Sequence, residues 1–445
     1  MRAKSLRSRA VTRSRSDGRA AILCDAGGAN FVSGSGVQVA GALGVVSVVV
    51  LYVVSGDWQG AWRLIAGAVA GGLHDDAMFA LPLLSLMGVF IVRSGAAAEL
   101  FWAVTRLLRH GPVGAPLAAV VGGAINAFAA GNSTIAIANF TRVAYPELRR
   151  RGHDRAFALG TLVNASALGS LLPPGVLMAA WAVLGEQPAG AIFLAALTPA
   201  LAVALCLGLC VVFVTRRTQM PHQGKMSARP AQAIGNIAGL TLIVGVFFGG
   251  LAARLLSPAE AAGAGAAIAM LMALRKGMPL AGIVHAVCVT ARYVVPVLLQ
   301  LFMGLLYGQA LTVTGVGASI QDLLGSLGPA LGLVAVIVIW LALATVLNPI
   351  SVLALTVALF GPLAIRLGFD PLAFAVIGVI VVETAQLLPP LGLLVYTAKA
   401  AADDDIVAVA DIFRFVLPLA VILFAAIVVI SIFPNVATWL PHFAR

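Results

Sequence analysis

Charge is scarce in this chain. Only 10% of its 445 residues are Asp, Glu, Lys or Arg, against 61% hydrophobic residues, and the mean hydropathy is +1.04. A soluble domain carries about 25% charged residues, so the composition excludes a soluble globular fold. Acidic residues are fewer still, with 17 Asp and Glu facing 28 Lys and Arg for a net charge of +11. The basic residues do not form a nucleic-acid footprint. Arg2, Lys4, Arg7, Arg9, Arg13, Arg15 and Arg19 crowd the start, and most others sit in short loops, the placement that orients a membrane protein. Cysteine is rare too. Cys24, Cys206, Cys210 and Cys288 show neither metal nor redox spacing, and in a lipid helix such residues act as small hydrophobes. The six histidines are scattered with no ligand pair at helical spacing. The phosphate-binding pattern GxxxxGK[ST] is missing, which excludes the obvious route to ATP-driven work. No nucleophile–base arrangement occurs, so neither an enzyme nor a bound cofactor is expected.

What is present is apolar and interrupted. Runs at about 38–54, 76–104, 156–182, 190–214, 236–254, 260–274, 283–308, 372–398 and 412–433 approach the ~20 residues that cross a bilayer. Two more, near 115–140 and 328–365, are broken at Gly131-Asn132 and Asn348-Pro349. They read as re-entrant hairpins, because non-helical backbone at membrane depth survives only where protein or a cavity surrounds it. The 47 glycines suit close helix packing in lipid.

The chain also repeats itself. Leu171-Leu172-Pro173-Pro174 recurs 216 residues later as Leu387-Leu388-Pro389-Pro390, and the same offset carries Asn132 to Asn348, Pro146 to Pro362, Gly152 to Gly368 and Asp154 to Asp370. Paired prolines remove backbone donors and break a helix. Interrupted helices at matching positions of two halves are the best sequence pointer to a secondary transporter's binding site. The expected architecture is therefore an all-α polytopic membrane protein with two inverted repeats, each carrying a re-entrant hairpin and a broken helix. The divisions are a basic disordered tail over 1–36, a first repeat over 37–215, a cytoplasmic loop with a linker helix over 216–255, and a second repeat over 256–445. Alternative readings of the tail are a cleaved leader or a translation start nearer Val37.

Candidate site residues follow from the breaks. The first tip, Gly131-Asn132-Ser133-Thr134, offers a permissive backbone and side-chain oxygens, and is expected to face Pro173-Pro174-Gly175. The second, Asn348-Pro349-Ile350-Ser351, is expected to face Leu388-Pro389-Pro390 and Gly392, with Glu383 and Thr384 just upstream. Unwound carbonyls suit a hard cation and half-helix N-termini suit an anion. A cation is thus expected at Gly131, Asn132, Pro173 and Pro174 and at Asn348, Pro349, Glu383, Thr384, Leu388, Pro389 and Pro390. The solute is expected at Asn132, Ser133, Thr134, Gly175, Asn348 and Ser351. An ionisable residue inside a span, as Glu383 is, is functional by default. Asp403-Asp404-Asp405 reads as a solvated cap, and His74-Asp75-Asp76 as interfacial.

The string GNSTIAIANFTRVAYPELRRRGHDRAFALGTLVNASALGSLLPPG (131–175) resembles the large membrane subunit of tripartite ATP-independent periplasmic (TRAP) transporters, the DctM type. Gly131, Ser133, Pro146, Gly152, Asp154, Phe157-Ala158 and Pro173-Pro174 match that family's pattern. Ser257-Pro258-Ala259-Glu260-Ala261, GFDPLAF (368–374) and ETAQLLPPLG (383–392) resemble its later segments. Asn132, His153, Gly175 and Leu388 depart from it. The resemblance implies an elevator-type fold like that of the ion-transporter superfamily and sodium-coupled import of an organic acid of the carboxylate or dicarboxylate class. It also implies a small DctQ-type membrane subunit, an extracytoplasmic DctP-type solute-binding protein and a bacterial inner membrane. The rival is a stand-alone sodium- or proton-coupled organic anion symporter.

Overall fold

The computed structural model describes residues 37–73, 75–107, 113–217, 233–390, 392–404 and 406–443. The basic tail, the polar loop 218–232, His74, Leu391 and Asp405 lie outside the described residues. Among those described, every regular element is a helix. Seven helices are long and apolar enough to cross a membrane, the pattern of a multi-pass membrane protein.

The first half runs through α1 (Val37–Ser55), α2 (Trp58–Leu73), α3 (Asp76–Arg93), α4 (Ala96–Leu107), α5 (Gly114–Ala130), α6 (Ser133–Arg150), α7 (Arg155–Leu171), α8 (Val176–Leu184) and α9 (Ala189–Arg217). Helix α10 (Ala233–Ala252) leads to α11 (Pro258–Arg275), α12 (Leu280–Thr314), α13 (Val316–Gly325), α14 (Gly328–Ala344), α15 (Pro349–Arg366), α16 (Pro371–Ala385), α17 (Leu393–Ala402), α18 (Val409–Ile432) and α19 (Asn435–Phe443). The run 76–104, expected as one crossing, divides at Ser94-Gly95, where Gly95 is left-handed with φ 72°. Helices α5–α6 and α14–α15 are the two interrupted hairpins.

The 216-residue offset holds in backbone detail. Asn132 caps α6 by accepting from the Ile135 amide at 3.1 Å, and Asn348 caps α15 by accepting from the Ser351 amide at 3.0 Å. Gly152 and Gly368 are both left-handed, at φ 84° and 81°, and each is followed by an aspartate, Asp154 or Asp370, that caps the next helix. Both diproline peptide bonds are cis. One difference stands out. Shifted by the offset, α2 and α3 fall on the single 35-residue helix α12. Asp75 is why the first copy breaks: in extended backbone it caps α3 through the Ala77 amide at 2.8 Å, whereas Ala291, its counterpart, has no side chain to compete with the helix.

The halves interlock. Helix α8 packs on α15 of the second hairpin, and α17 packs on α6 of the first. Trp181 of α8 meets Trp340 and Phe374 edge-on at centroid distances of 5.8 and 6.0 Å, so each half supplies part of the other's core. Edge-to-face aromatic pairs add ~0.5–1.5 kcal/mol each beyond burial. Three contacts tie helix ends and loops together: Arg93 reaches Gly282, Lys276 pairs with Glu99 at 2.5 Å, and Arg155 pairs with Asp404 at 2.7 Å. Asp404, expected as a solvated cap, instead ties the loop after α17 to the base of the first hairpin. A cavity of about 1490 Å³ is lined by Arg63, Glu186, Arg254, Gly304, Gly308 and Ala358, among others.

Candidate functional site

Gly131 ends α5 in the left-handed region, φ +61°, and its carbonyl accepts the Val176 amide at 2.9 Å. The first tip therefore bonds directly to the first residue of α8, beyond the diproline. A Cβ on Gly131 would lie 3.1 Å from the Pro174 carbonyl oxygen. Ser133 then turns into the site. Its Oγ donates to the Ala167 carbonyl at 3.3 Å, lies 3.0 Å from Ser170 Oγ, and accepts from the Ser170 amide at 3.2 Å. Gly175 is pressed so closely that a Cβ there would lie 2.6 Å from the Ser170 carbonyl oxygen. The structure thus brings Gly131, Asn132 and Ser133 to the 170–176 break, as the sequence led one to expect.

The second tip is built differently. Asn348 and Pro349 are half-buried and Ser351 is buried, but Pro389 and Pro390 are exposed. Among the described residues no backbone hydrogen bond joins the second tip to the 386–392 break. Leu347 stands where the first copy has Gly131, so the left-handed turn that admits the facing carbonyl is missing. Thr384, buried, spends its hydroxyl on the Ile380 carbonyl at 2.6 Å. Thr134 is half-buried. Leu388 contributes its carbonyl to the Gly392 amide at 3.0 Å.

Glu383 does not side with the second tip alone. It is fully buried, and its carboxylate lies beside the hydroxyls of Ser133 and Ser170 in the other half. Oε2 accepts from Gln386 Nε2 at 2.8 Å, whereas Oε1 makes no hydrogen bond. The two hydroxyls are close enough to act on the charge without the geometry of a bond to Oε1. By the offset, Glu383 and Gln386 are the counterparts of Ala167 and Ser170, so the two interrupted helices meet at matching turns. A buried carboxylate with one bare oxygen is costly unless a cation or proton neutralises it. Glu383 Oε1, the two serine hydroxyls and the Ala167 carbonyl form a hard-oxygen cluster of the kind that holds a small alkali or alkaline-earth cation. No group of three or more His, Cys, Asp or Glu side chains gathers among the described residues.

Three contributors were not foreseen. Ser170 lies one turn before the diproline, and its role was masked by the apolar run around it. Tyr293 and Gln300 sit on α12. Asn132 Nδ2 donates to Tyr293 Oη at 2.8 Å, and Ser351 Oγ donates to Gln300 Oε1 at 2.9 Å. The available signal was a tyrosine and a glutamine seven residues apart in a long, mainly apolar span that also carries His285, Thr290 and Arg292, where polar side chains can serve as interhelical links.

A family model described as "Tripartite ATP-independent periplasmic transporter, DctM component" matches residues 32–436. The C4-dicarboxylate TRAP transporter large permease protein DctM of Pseudomonas aeruginosa is 27% identical over 371 residues, covering 82% of this chain and 86% of that protein. The sialic acid TRAP transporter large permease protein SiaM of Vibrio cholerae is 24% identical over 386 residues, covering 85% and 89%. Among solved structures, the crystal structure of the Alcanivorax borkumensis YdaH transporter superposes with a TM-score of 0.64 at 14% identity, covering 92% of this chain and 98% of that one. That likeness concerns the fold.

Proposed function

This chain belongs to the DctM component family of tripartite ATP-independent periplasmic transporters, and on that premise we propose that it imports an organic acid by sodium-coupled symport. The observation that carries the coupling is the cluster of Glu383, Ser133 and Ser170, where a buried carboxylate oxygen lacks a partner beside two hydroxyls of the opposite half. Sodium would neutralise that carboxylate and tie the two halves together. The solute would sit between the tips, near the N-termini of α6, α8, α15 and α17, whose partial positive charge suits an acid.

Inverted repeats moving as an elevator are part of the same reading. In its support, the base of the first hairpin carries Arg149, Arg150, Arg151 and Arg155, the charge that the positive-inside rule makes cytoplasmic. The far end of the second hairpin lines the cavity with Glu186 and Arg254 instead. Hairpins opening to opposite faces are what alternating access requires. The partners would be a small membrane subunit and an extracytoplasmic solute-binding protein, and that protein would do much of the selecting. Relatives in this family carry names for different solutes, dicarboxylate and sialic acid among them, so the acid class rests on the family resemblance, and the helix N-termini near the tips suit such an anion.

The test is uptake of a labelled C4-dicarboxylate and of a labelled sugar acid into proteoliposomes holding all three components. Accumulation driven by an imposed sodium gradient alone is expected. Equal accumulation with sodium replaced by choline on both sides would defeat the coupling.

A further inference from the structure

Helix α12 belongs to neither hairpin, yet it holds both. Tyr293 takes the first tip through Asn132, and Gln300 takes the second through Ser351. The two residues are seven apart and so lie on one face of the helix. Their orientations are fixed locally. The Asn132 carbonyl caps α6, which leaves only its amide nitrogen to meet Tyr293. Gln300 Nε2 donates to the Pro296 carbonyl at 3.3 Å, which turns Oε1 toward Ser351. The equivalent positions of the first copy are Ala77 and Leu84, both buried in α3 and neither able to make such a bond. The polar pair is therefore special to α12.

The cavity reaches this contact from one side. Its lining includes Gly304 and Gly308 of α12 and Val357 and Ala358 of α15, so it ends one turn short of the Gln300–Ser351 bond. Glycines let α12 and α15 close on each other there: a Cβ on Gly304 would lie 3.0 Å from that of Ala354, and one on Gly308 would lie 3.1 Å from that of Ala358.

We propose that Tyr293 and Gln300 form a two-point latch that fixes both tips to α12 in this conformation, and that each transport cycle breaks and remakes both bonds. This rests on the transport reading above and assigns positioning residues to it. Neither residue needs to touch ion or solute.

The test is a cysteine pair, Gly308→Cys with Ala358→Cys, in a protein whose four native cysteines are serine. The Cβ separation is a few tenths of an ångström below the ~3.5–4.5 Å of a disulfide, so the pair bridges with little adjustment. Oxidation is expected to stop uptake and reductant to restore it. The ratio of bridged to unbridged protein after a brief oxidant pulse is read without sodium or solute, so it is independent of whether the transport reading holds. Tyr293→Phe and Gln300→Leu are each expected to lower that ratio about five-fold, the scale of one net hydrogen bond. Asn132→Ala combined with Tyr293→Phe should lower it no further than either alone, because they share one bond. If Gln300→Leu fails to fold, Ser351→Ala removes the same bond from the other side. Full uptake by the bridged protein, or a ratio unmoved by these variants, overturns the latch. Loss of sodium-driven uptake in the reduced pair with a normal bridging ratio would count against the transport reading only.

Discussion

Replacing Glu383 by glutamine separates the two energies that meet at this residue. The substitution keeps the shape and the Gln386 contact but removes the negative charge. Without sodium, the wild-type protein must tolerate a buried carboxylate whose Oε1 has no hydrogen bond, so the variant should be as stable or slightly more stable. With sodium the order should reverse. A unit charge at ~4 Å in a medium of effective dielectric ~20 interacts by about 4 kcal/mol, and the glutamine carbonyl dipole recovers part of that. Sodium affinity should therefore fall by roughly ten- to a thousand-fold, each ~1.4 kcal/mol being one decade. Ligand linkage makes this visible: sodium at a hundred times its dissociation constant stabilises the folded protein by ~2.7 kcal/mol. The assay is thermal unfolding of the purified protein in detergent, with sodium titrated against choline at constant ionic strength. A sodium-dependent rise in Tm is expected for the wild type and only at far higher sodium for Glu383→Gln. A variant that keeps the wild-type sodium dependence would refute the assignment of Glu383 to the ion.

Other substitutions probe the pieces one at a time. Ser133→Ala removes the bonds of its hydroxyl to the Ser170 amide and the Ala167 carbonyl and should cost about 1–3 kcal/mol of stability while weakening the sodium-induced shift, both read from the same melts. Gly131→Ala places a side chain at φ +61° and 3.1 Å from the Pro174 oxygen; it should lose at least ~1 kcal/mol and lower the uptake rate. Gly175→Ala has an ordinary φ of −83°, so only the 2.6 Å approach to the Ser170 oxygen opposes it, and about 1–3 kcal/mol of destabilisation is expected in denaturation assays. Asp404 lies in the loop after α17; its bond from Tyr145 at 2.5 Å and, next, its pairing with Arg155 hold its carboxyl below the usual aspartate range. A carboxyl depressed in the folded state contributes stability above the ordinary value of about 3.9 and loses it as pH falls through the lowered one. Asp404→Asn should therefore melt lower than wild type at neutral pH, with the gap closing in acid.

The duplication was the most legible feature of the sequence, because turn chemistry is local. Left-handed Gly152 and Gly368, the caps Asp154 and Asp370, and the prolines after residues 172 and 388 all dictate backbone geometry within a few residues. Asn132 and Asn348 announced the tips for the same reason. Short amphipathic helices were harder to read. Helices α2, α4, α13 and α19 carry no run long enough to stand out in an apolar chain, and the division between α3 and α4 rests on one glycine. Long-range partners were not legible at all. That Glu383 lies beside Ser133 and Ser170, rather than serving its own tip, depends on how two broken helices cross, and no spacing along the chain encodes that. Tyr293 and Gln300 could be flagged as polar residues in a span, but not matched to Asn132 and Ser351, which are 161 and 51 residues away.

Coupling requires sodium, at Glu383, and the solute, between the tips, to cross the membrane together. The most direct measurement is the simultaneous flux of isotopic sodium and labelled acid into the same vesicles holding the full transporter. The two are expected to enter in a fixed ratio, and Glu383→Gln to suppress both together. Acid accumulating with no accompanying sodium flux, or sodium entry unaffected in Glu383→Gln, would contradict it.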